Sequence, residues 1–425
     1  MKRIDCGKIV LSNEEAKVCV PVMGENKEEV LCQMREVAAM APDIIEWRAD
    51  FLDTDKLSDY ETVLSAAKDI IDDVPLIFTF RTLNEGGNQN ITWERYSEIC
   101  EYIARIGGQY NVVFIDVEAY GNQENAGGLI EKMHKRDMKV IGSNHHFNET
   151  PKMEEMIEIL KTTEKLGADV CKLAVMPLEK EDVADFVSAS NEADRELKVP
   201  IITMAMGELG AVTRVAPSKT KSVITFAAGV DASAPGQVDI KIVKKLLQEN
   251  KECKIKGNIA MIGFMGTGKT TVSRALSMIT GLKEIDVDDY IVEKAGMSIS
   301  DIFEKYGEEH FRHLETEALR EIVGGNGQII SCGGGAVLKD ENVDILKENG
   351  TIVLLTASPE TIFDRVKDHT HRPILNNDMS LEHVKSLMAD REPRYQSVAD
   401  IKVNVDSNDR VLTCYDILCK LEEKG

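Results

Sequence analysis

A lysine interrupts an apolar stretch in the first half of the chain. The segment DVCKLAVMP (169–177) has the composition of a buried strand, with Lys172 near its centre. An ammonium group buried without a partner is costly, so Lys172 must be paired, neutral or used in chemistry. A neutral amine beside apolar groups and other cations can attack a carbonyl and form a Schiff base. Catalysis and an ion pair with Glu46, Asp116 or Glu118 are both open interpretations at this point.

The second half carries a glycine-rich segment, GFMGTGKTT (263–271), that satisfies GxxxxGK[ST]. An apolar run, NIAMI, precedes it and a helical pattern, TVSRALSMI, follows it, which favours phosphate binding over an ordinary glycine turn. Lys269 would then reach the β- and γ-phosphates of ATP, and Thr270 would hold Mg²⁺. The expected ATP-binding residues of this loop are Gly263, Gly266, Thr267, Gly268, Lys269, Thr270 and Thr271.

Length and composition restrict the class of protein. At 425 residues, with 43% hydrophobic and 29% charged residues, the chain has ample material for two packed domains. Its formal charge of −22 argues against nucleic acids and anionic membranes as partners. The nine cysteines are scattered without a CxxC pair, which favours free thiols over disulfides or zinc ligands. With no signal-like or membrane-spanning run, we expect a soluble cytoplasmic protein.

Short β-branched runs alternate with amphipathic stretches through the first half, which predicts a (β/α)8 TIM barrel over residues 1–252. An earlier pair of short runs looks like a hairpin that closes one barrel end. The segment 207–220 fits a short helix or a loop, so a fragment of a larger open sheet is the alternative. The eight runs are KVCVPVM (17–23), DIIEWRA (43–49), PLIFTF (75–80), NVVFIDVE (111–118), MKVIGS (138–143), DVCKLAV (169–175), VPIITM (199–204) and SVITFA (222–227).

A polar stretch, ENKECKIKG (249–257), breaks this pattern and marks a linker. The runs beyond it predict a doubly wound parallel α/β domain over residues 257–425, which carries the P-loop and binds ligands at the carboxyl ends of its strands. No GxGxxG follows a strand, so we expect no nicotinamide-binding domain. The five runs are NIAMIGF, LKEIDVD, QIISC, TIVLLTA and DIKVNVD.

Polar residues end several of the predicted barrel strands. Side chains at positions i and i+2 of a strand share a face, and the carboxyl ends of barrel strands carry the chemistry of this fold. Lys172 therefore faces a polar cluster at the barrel mouth. The pairs are Glu46 and Arg48, Thr79 and Arg81, Asp116 and Glu118, and Ser143 and His145.

The segments that contain these pairs resemble the type I 3-dehydroquinate dehydratases over residues 1–250. They are EWRAD, TFRTLNEGG, IDVE, SNHHF, KLAVMP, TMAMG and SAPGQ. The resemblance implies that Lys172 forms an imine with the substrate ketone and that His145, oriented by Glu85, is the general base and later the acid. An iminium makes the adjacent C–H acidic enough for an imidazole to remove its proton. The implied substrate-binding residues are Glu46, Arg48, Arg81, Arg214, Ser233 and Gln237, and no cofactor is implied.

Some features of the first half leave alternatives. Pro21 stands where some relatives have a substrate-contacting serine, so that contact is absent. Met204 and Met206 suit barrel packing or substrate contact, and we expect His146 to be a bystander. A Schiff-base aldolase is an alternative function. A metal site at the two adjacent histidines is another, although no HxH or HExxH spacing supports it.

Five motifs of the second half resemble shikimate kinases over residues 258–425. They are IDVDDYI (285–291), GEEHFRHLE (307–315), SCGGGAV (331–337), HRPIL (371–375) and REPRY (391–395). The resemblance implies that Asp288 contacts the shikimate hydroxyls and that Asp286 lies near the magnesium. It also implies that Arg365 lies near the adenine and that Arg372 contacts the transferred phosphate. The implied shikimate-binding residues are Asp288, Arg312, Gly333, Gly334, Gly335 and Arg391.

Together the two resemblances imply a bifunctional shikimate-pathway enzyme. One half would dehydrate 3-dehydroquinate to 3-dehydroshikimate, and the other would use ATP and Mg²⁺ to phosphorylate shikimate to shikimate 3-phosphate. The ketone of the first product must be reduced before the kinase can act, so we expect a separate shikimate dehydrogenase and no direct channelling. The family suggests a homodimer through the barrel. A nucleotide sensor that regulates the barrel is the alternative for the second half.

Overall fold

The computed structural model describes residues 2–229, 234–251, 253, 255–367, 380–407 and 409–424. Over these ranges the chain forms two compact units, Met1–Leu247 and Gln248–Gly425. The first unit contains a parallel barrel and the second a five-stranded parallel sheet, so the predicted fold class is confirmed. Among the described helices, none combines the length and the apolar character needed to cross a bilayer.

An antiparallel hairpin of strands β1 (Arg3–Cys6) and β2 (Ile9–Ser12) precedes the barrel. Its Cys6 and Leu11 are buried in one apolar cluster with Ile44 and Val170, which begin two of the barrel strands. The hairpin therefore covers the amino-terminal end of the barrel, as the sequence predicts, and leaves the carboxyl end for the site.

Eight parallel strands form the barrel, and each corresponds to one of the apolar runs. They are β3 (Lys17–Val22), β4 (Ile44–Arg48), β5 (Leu76–Thr79), β6 (Val112–Glu118), β7 (Lys139–His145), β8 (Val170–Val175), β9 (Ile201–Ala205) and β10 (Ile224–Phe226). Their order is β10-β3-β4-β5-β6-β7-β8-β9. A parallel bridge between Ile201 and Ser222 joins the two ends of this order, so the ring is nearly closed. The open-sheet alternative is wrong.

Helices cover the outside of the barrel because their apolar residues recur at helical spacing. In α5, for example, the buried residues are Met156, Ile159, Leu160 and Thr163. The helices of this region are α1 (Lys27–Ala39), α2 (Leu57–Ile71), α3 (Trp93–Ile106), α4 (Gln123–His134), α5 (Met153–Lys165), α6 (Lys180–Glu196), α7 (Gly207–Val215), α8 (Pro217–Thr220) and α9 (Ile240–Lys251).

The segment that fitted either a helix or a loop forms the two short helices α7 and α8. Gly210 packs against Ala205 at the end of β9, where a Cβ atom would come within 2.4 Å of the Ala205 backbone. The backbone N–H of Ala205 also donates to Oγ1 of Thr213 at 3.2 Å. These contacts fix α7 against the strand and place Arg214 at the barrel mouth.

The second unit is a parallel sheet in the order β12-β13-β11-β14-β15, built from the five predicted runs. Its strands are β11 (Asn258–Ile262), β12 (Lys283–Asp286), β13 (Gln328–Ser331), β14 (Gly350–Thr356) and β15 (Ile401–Asn404). Its helices are α10 (Lys269–Thr280), α11 (Val287–Ala295), α12 (Ile299–Val323), α13 (Asp340–Glu348), α14 (Pro359–Val366), α15 (Leu381–Val398) and α16 (Arg410–Lys424). The glycine-rich loop joins the central strand β11 to α10, at the point where the strand order reverses and where ligands of such sheets bind.

Candidate active sites

A cavity opens at the carboxyl end of the barrel strands. Most of the residues that the sequence assigns to the dehydratase site line it, and Ser233 lies outside the described residues. The lining residues include Glu46, Arg48, Arg81, Glu85, Gly86, His145, Phe147, Lys172, Met204, Met206, Arg214, Phe226 and Gln237. The barrel thus brings together side chains from strands that are far apart in the sequence.

Lys172 lies in this cavity and is only 5% exposed. Its Nζ lies 3.1 Å from Oδ2 of Asp116, 3.7 Å from Oε1 of Glu46 and 4.7 Å from the centre of the Phe226 ring. Burial by itself would raise the pKa of Asp116, but Arg81 and Lys172 outweigh this effect and lower it. Lys172 is therefore both ion-paired and exposed to the cavity, and it must lose a proton before it can attack a carbonyl carbon.

Arg81 is the centre of a buried ionic network behind Lys172. It donates through one terminal nitrogen to Asp116 at 2.8 Å and through the other to Ser143 Oγ at 2.8 Å and Glu118 at 3.3 Å. Burial alone would lower the pKa of Arg81, but Asp116, Glu118 and Glu85 together raise it. The guanidinium therefore stays charged and fixes the positions of the carboxylates around it.

His145 is oriented by the residue that the resemblance assigns to this role. Its Nδ1 lies 2.8 Å from Oε2 of Glu85, and its ring stacks on Phe147 with centres 6.1 Å apart. When Glu85 is ionised it only accepts hydrogen bonds, so Nδ1 then carries the hydrogen and Nε2 keeps its lone pair. Burial, followed by the charges of Arg81 and Lys172, holds the pKa of His145 well below its usual value. The neutral imidazole is thus suited to remove a proton.

Gly86 allows Phe147 to approach this pair. Its φ of 78° is in the left-handed region, and a Cβ atom there would come within 2.3 Å of the Phe147 ring. Gly86 belongs to the motif TFRTLNEGG and Phe147 to the motif SNHHF, but neither motif indicates that the two residues are in contact.

Arg214 differs from the other cations of the barrel mouth. It is 2% exposed and donates to the carbonyl of Pro235 at 3.1 Å, while its Nε has no hydrogen-bond partner among the described residues. The described carboxylates form no ion pair with it, and burial lowers its pKa to about 10. A buried guanidinium that lines a cavity without a counter-ion is a suitable site for an anionic substrate group.

In the second unit, the glycine-rich loop turns tightly around the amino terminus of α10. Gly263, Gly266 and Gly268 have φ values of 145°, 81° and 83°, which only glycine adopts readily. Lys269 Nζ donates to the carbonyls of Gly263 at 3.0 Å and Phe264 at 3.1 Å. The lysine therefore extends over the loop, beside the helix terminus that attracts phosphate.

Hard oxygen donors converge next to this loop. Thr270 Oγ1 and Ser331 Oγ donate to Oδ2 of Asp286 at 2.8 and 2.9 Å. No group of three or more His, Cys, Asp or Glu residues in the described part of the chain is arranged to hold a metal. Mg²⁺ usually takes one or two carboxylates and completes its shell with water and phosphate, so Asp286 and Thr270 fit this ion. Ser331 is an addition that the motifs do not assign.

A polar cleft lies beside the three consecutive glycines. A Cβ atom on Gly333 would come within 3.1 Å of Oδ1 of Asp288 and 2.9 Å of Oε1 of Glu315, and one on Gly335 would lie 2.4 Å from Arg312. Both of these carboxylate oxygens are buried and have no hydrogen-bond partner among the described residues. Burial, followed by the charge of Asp286, raises the pKa of Asp288. Asp288 is thus suited to accept a hydrogen bond or a proton from a hydroxyl group.

Arginines border the cleft and a neighbouring cavity. Arg312 pairs with Glu315 at 2.9 Å, and Arg391 lies over the Phe264 ring at 5.8 Å. Arg365 lines the cavity and donates to the carbonyl of Val405 at 2.7 Å. Arg372 lies outside the described residues. The cavity is also lined by Thr267, Gly268, Thr271, Val272, Arg410 and Thr413, of which Val272, Arg410 and Thr413 have no role in the motifs.

Comparison with known proteins assigns both halves. Residues 18–253 match the family model of type I 3-dehydroquinase. The chain belongs to this family. Residues 265–421 match the model of shikimate kinase. The chain is therefore a bifunctional shikimate-pathway enzyme, in which a dehydratase domain precedes a kinase domain.

Relatives and solved structures agree with the dehydratase assignment. A 3-dehydroquinate dehydratase of Clostridioides difficile is 36% identical over 252 residues, which are 58% of this chain and 96% of the relative. A crystal structure of 3-dehydroquinate dehydratase from Geobacillus kaustophilus has a TM-score of 0.56 and 35% identity, covering 58% of this chain and 95% of its own. A type I structure from Clostridium difficile, with covalently modified comenic acid, has a TM-score of 0.56 and 35% identity over 59% and 98%.

Proposed function

We propose that the dehydratase domain, residues 1–252, acts on 3-dehydroquinate through an imine on Lys172. The observation that carries this proposal is the position of Lys172 Nζ in the cavity, beside a neutral His145 whose Nε2 is available. The amine adds to the ketone and water leaves, which gives an iminium ion. Nε2 of His145 removes a proton from the adjacent carbon, returns it to the departing hydroxyl, and hydrolysis then frees Lys172.

The substrate is held by the charged residues of the cavity. Arg214 binds its carboxylate, because this buried guanidinium has no carboxylate partner among the described residues. Gln237, Arg48 and Glu46 line the same cavity and bind the hydroxyl groups. Arg81 acts mainly through the network that fixes Asp116. A contact from Ser233 stays a prediction.

We infer that the kinase domain, residues 257–425, phosphorylates shikimate with ATP and Mg²⁺. Bound Mg²⁺ would neutralise phosphate charge, and Thr270 and Asp286 would hold it. Lys269 and the loop amides bind the phosphates. Asp288, one oxygen of which has no hydrogen-bond partner among the described residues, accepts the proton of the attacking hydroxyl.

The other ligand contacts of the kinase domain follow the motifs. Arg312 and Arg391 bind the shikimate carboxylate, and Gly333, Gly334 and Gly335 leave room for the ring. Arg365 lies against the base in the neighbouring cavity. A contact from Arg372 to the transferred phosphate stays a prediction.

The two reactions are not consecutive, so we propose that the protein works in the cytoplasm beside a separate shikimate dehydrogenase. The purified chain with 3-dehydroquinate and ATP should stop at 3-dehydroshikimate and form ADP only when the reductase and its nicotinamide cofactor are added. Shikimate 3-phosphate without added reductase would contradict this. We also propose a homodimer through the barrel, which light scattering of the full chain would test.

Lys269→Ala separates the two activities. It should abolish phosphorylation of shikimate and leave dehydration of 3-dehydroquinate within twofold, because Lys269 belongs to the second unit only. A variant that kept full phosphorylation would refute the assigned role of the loop lysine.

A further inference from the structure

Asn144, in strand β7, connects two side chains beside the barrel cavity. Its Nδ2 donates to Oε1 of Glu85 at 3.3 Å, and its Oδ1 lies 2.8 Å from Nε2 of His146. Asn144 and Glu85 are each only 7% exposed, so bulk water does not replace this hydrogen bond. The motifs assign no role to Asn144, and they leave His146 as a bystander.

The partners of Asn144 determine which way its amide points. Nδ2 of Asn144 faces Glu85, which is the orientation that the ionised carboxylate requires, because that form only accepts hydrogen bonds. The carbonyl end then faces His146, whose Nε2 must carry a hydrogen and donate it. Burial lowers the pKa of His146, and the neutral ring protonated at Nε2 supplies this donor without any positive charge. His146 therefore locks the amide in the orientation that serves Glu85.

Glu85 needs such donors because it is buried. Burial raises its pKa to about 8, even though the Arg81 guanidinium and the Asn144 amide act in the opposite direction. Each donor favours the ionised carboxylate over the neutral acid. Only the ionised form accepts the Nδ1–H of His145 and also balances the charge of that ring once it has taken a proton.

We propose that Asn144, locked by His146, is a positioning residue that holds Glu85 in line behind His145 during proton transfer. The inference rests on the proposed function, in which Nε2 of His145 takes a proton from the carbon next to the iminium. The imidazolium formed in this step keeps its Nδ1–H on Glu85 and returns the other proton to the departing hydroxyl. Protons and charge balance within the site, so no further reagent is required.

The test compares Asn144→Leu with two variants of its neighbour in the full-length chain. Asn144→Leu should lower kcat about tenfold, the effect of losing one hydrogen bond to a charged group, and leave KM within about twofold. The primary isotope effect with substrate deuterated next to the ketone should rise, because proton removal becomes slower. His146→Leu should show part of the same change, and His146→Gln, which retains an N–H donor, should restore the wild-type values. Asn125→Leu on the surface of α4 is the matched control.

Borohydride trapping of the imine separates this inference from the proposed function. Trapping at the wild-type rate in Asn144→Leu, together with a larger isotope effect, supports a role in proton transfer alone. An unchanged kcat and isotope effect in a folded Asn144→Leu chain overturns the inference, and so does an equal loss in His146→Gln and His146→Leu. The His146 pair decides the matter if Asn144→Leu fails to fold. Failure to trap any imine in the wild-type chain would overturn the role of Lys172 instead.

Discussion

The barrel mouth and the kinase cleft satisfy their buried charges in different ways. In the barrel, Lys172 has two carboxylate neighbours, and Arg48 makes a bidentate pair with Asp50 at 2.8 and 2.9 Å. In the kinase cleft, one oxygen each of Asp288 and Glu315 is buried without a partner in the described part of the chain. These charged groups of the barrel are thus paired with one another before substrate binds. The kinase cleft instead presents carboxylate oxygens that can accept a hydrogen bond from a substrate hydroxyl.

Arg214 is the exception within the barrel, because it resembles the carboxylates of the kinase cleft in having a buried polar atom without a partner among the described residues. Its guanidinium is buried and no described carboxylate pairs with it, although Arg81 nearby contacts three carboxylates. Burial of an unpaired guanidinium is costly, and a protein tolerates this cost where a bound ligand supplies the opposite charge. Among the proposed ligand-binding residues, Arg214 and Asp288 each have a buried polar atom without a partner in the described part of the chain, whereas Arg48 and Arg312 are already ion-paired.

The largest expected effect comes from His145→Ala. Loss of the general base should lower kcat for dehydration by about 10²- to 10⁴-fold, and borohydride should still trap the imine because Lys172 is intact. Steady-state kinetics and intact-protein mass measure the two quantities. His134→Ala, a surface histidine paired with Asp169, is the control. A loss of less than tenfold would mean that another group removes the proton.

Asp288→Asn applies the same reasoning to the kinase cleft. Removal of the hydroxyl-facing carboxylate should lower the rate of shikimate phosphorylation by about 10²-fold or more, with dehydration unchanged. The fold should not be weakened, because a buried acid beside Asp286 becomes neutral. Asp289→Asn, whose side chain is 75% exposed, controls for the loss of a charge. Equal rates for these two variants would refute the role of Asp288.

A smaller effect distinguishes the paired from the unpaired arginine of the barrel. Arg214→Met should raise KM about 10- to 100-fold and leave the barrel as stable as before. Arg81→Met should destabilise the barrel by about 3–5 kcal/mol, because three carboxylates lose their cation. Both tryptophans, Trp47 and Trp93, lie in the barrel unit, so urea unfolding followed by tryptophan fluorescence reports on that unit. Equal destabilisation by the two variants would contradict the comparison.

The smallest effect is a pH dependence from His145. Its pKa in the folded barrel is well below 6.5, so below pH 6.5 the unfolded chain takes up a proton that the folded one does not. The free energy of unfolding should therefore fall as the pH drops from 7.5 to 5.5, by about 1 kcal/mol more than in His145→Gln. Urea unfolding at the two pH values measures this difference. A His145→Gln chain with the same pH dependence as the wild type would refute it.

The strands and the glycine loop were predictable because each depends on local sequence. Short apolar, β-branched runs and the spacing of GFMGTGKTT specify the strands and the tight turn without reference to distant residues. The resemblance to the type I 3-dehydroquinate dehydratases also predicted which residues line the cavity, including Lys172 and His145.

The partners of those residues were not predictable from spacing. The i, i+2 rule places Asp116 on the inner face, but only the barrel register of β6, β7 and β8 brings its Oδ2 to 3.1 Å from Lys172. Arg214 has no carboxylate partner among the described residues because of the way α7 packs on Ala205. The sequence GELGAVTR does not predict this packing. The contact of Asn144 with Glu85 joins strand β7 to the segment that follows β5, and no periodic pattern in the sequence indicates it.

Intact-protein mass after addition of 3-dehydroquinate and borohydride tests the central claim most directly. The wild-type chain and the surface control Lys165→Ala should gain the mass of one reduced adduct, and Lys172→Ala should gain none. An adduct that persists in Lys172→Ala, or a wild-type chain that dehydrates the substrate without forming one, would contradict the account. Lys172 would then be an electrostatic or structural lysine.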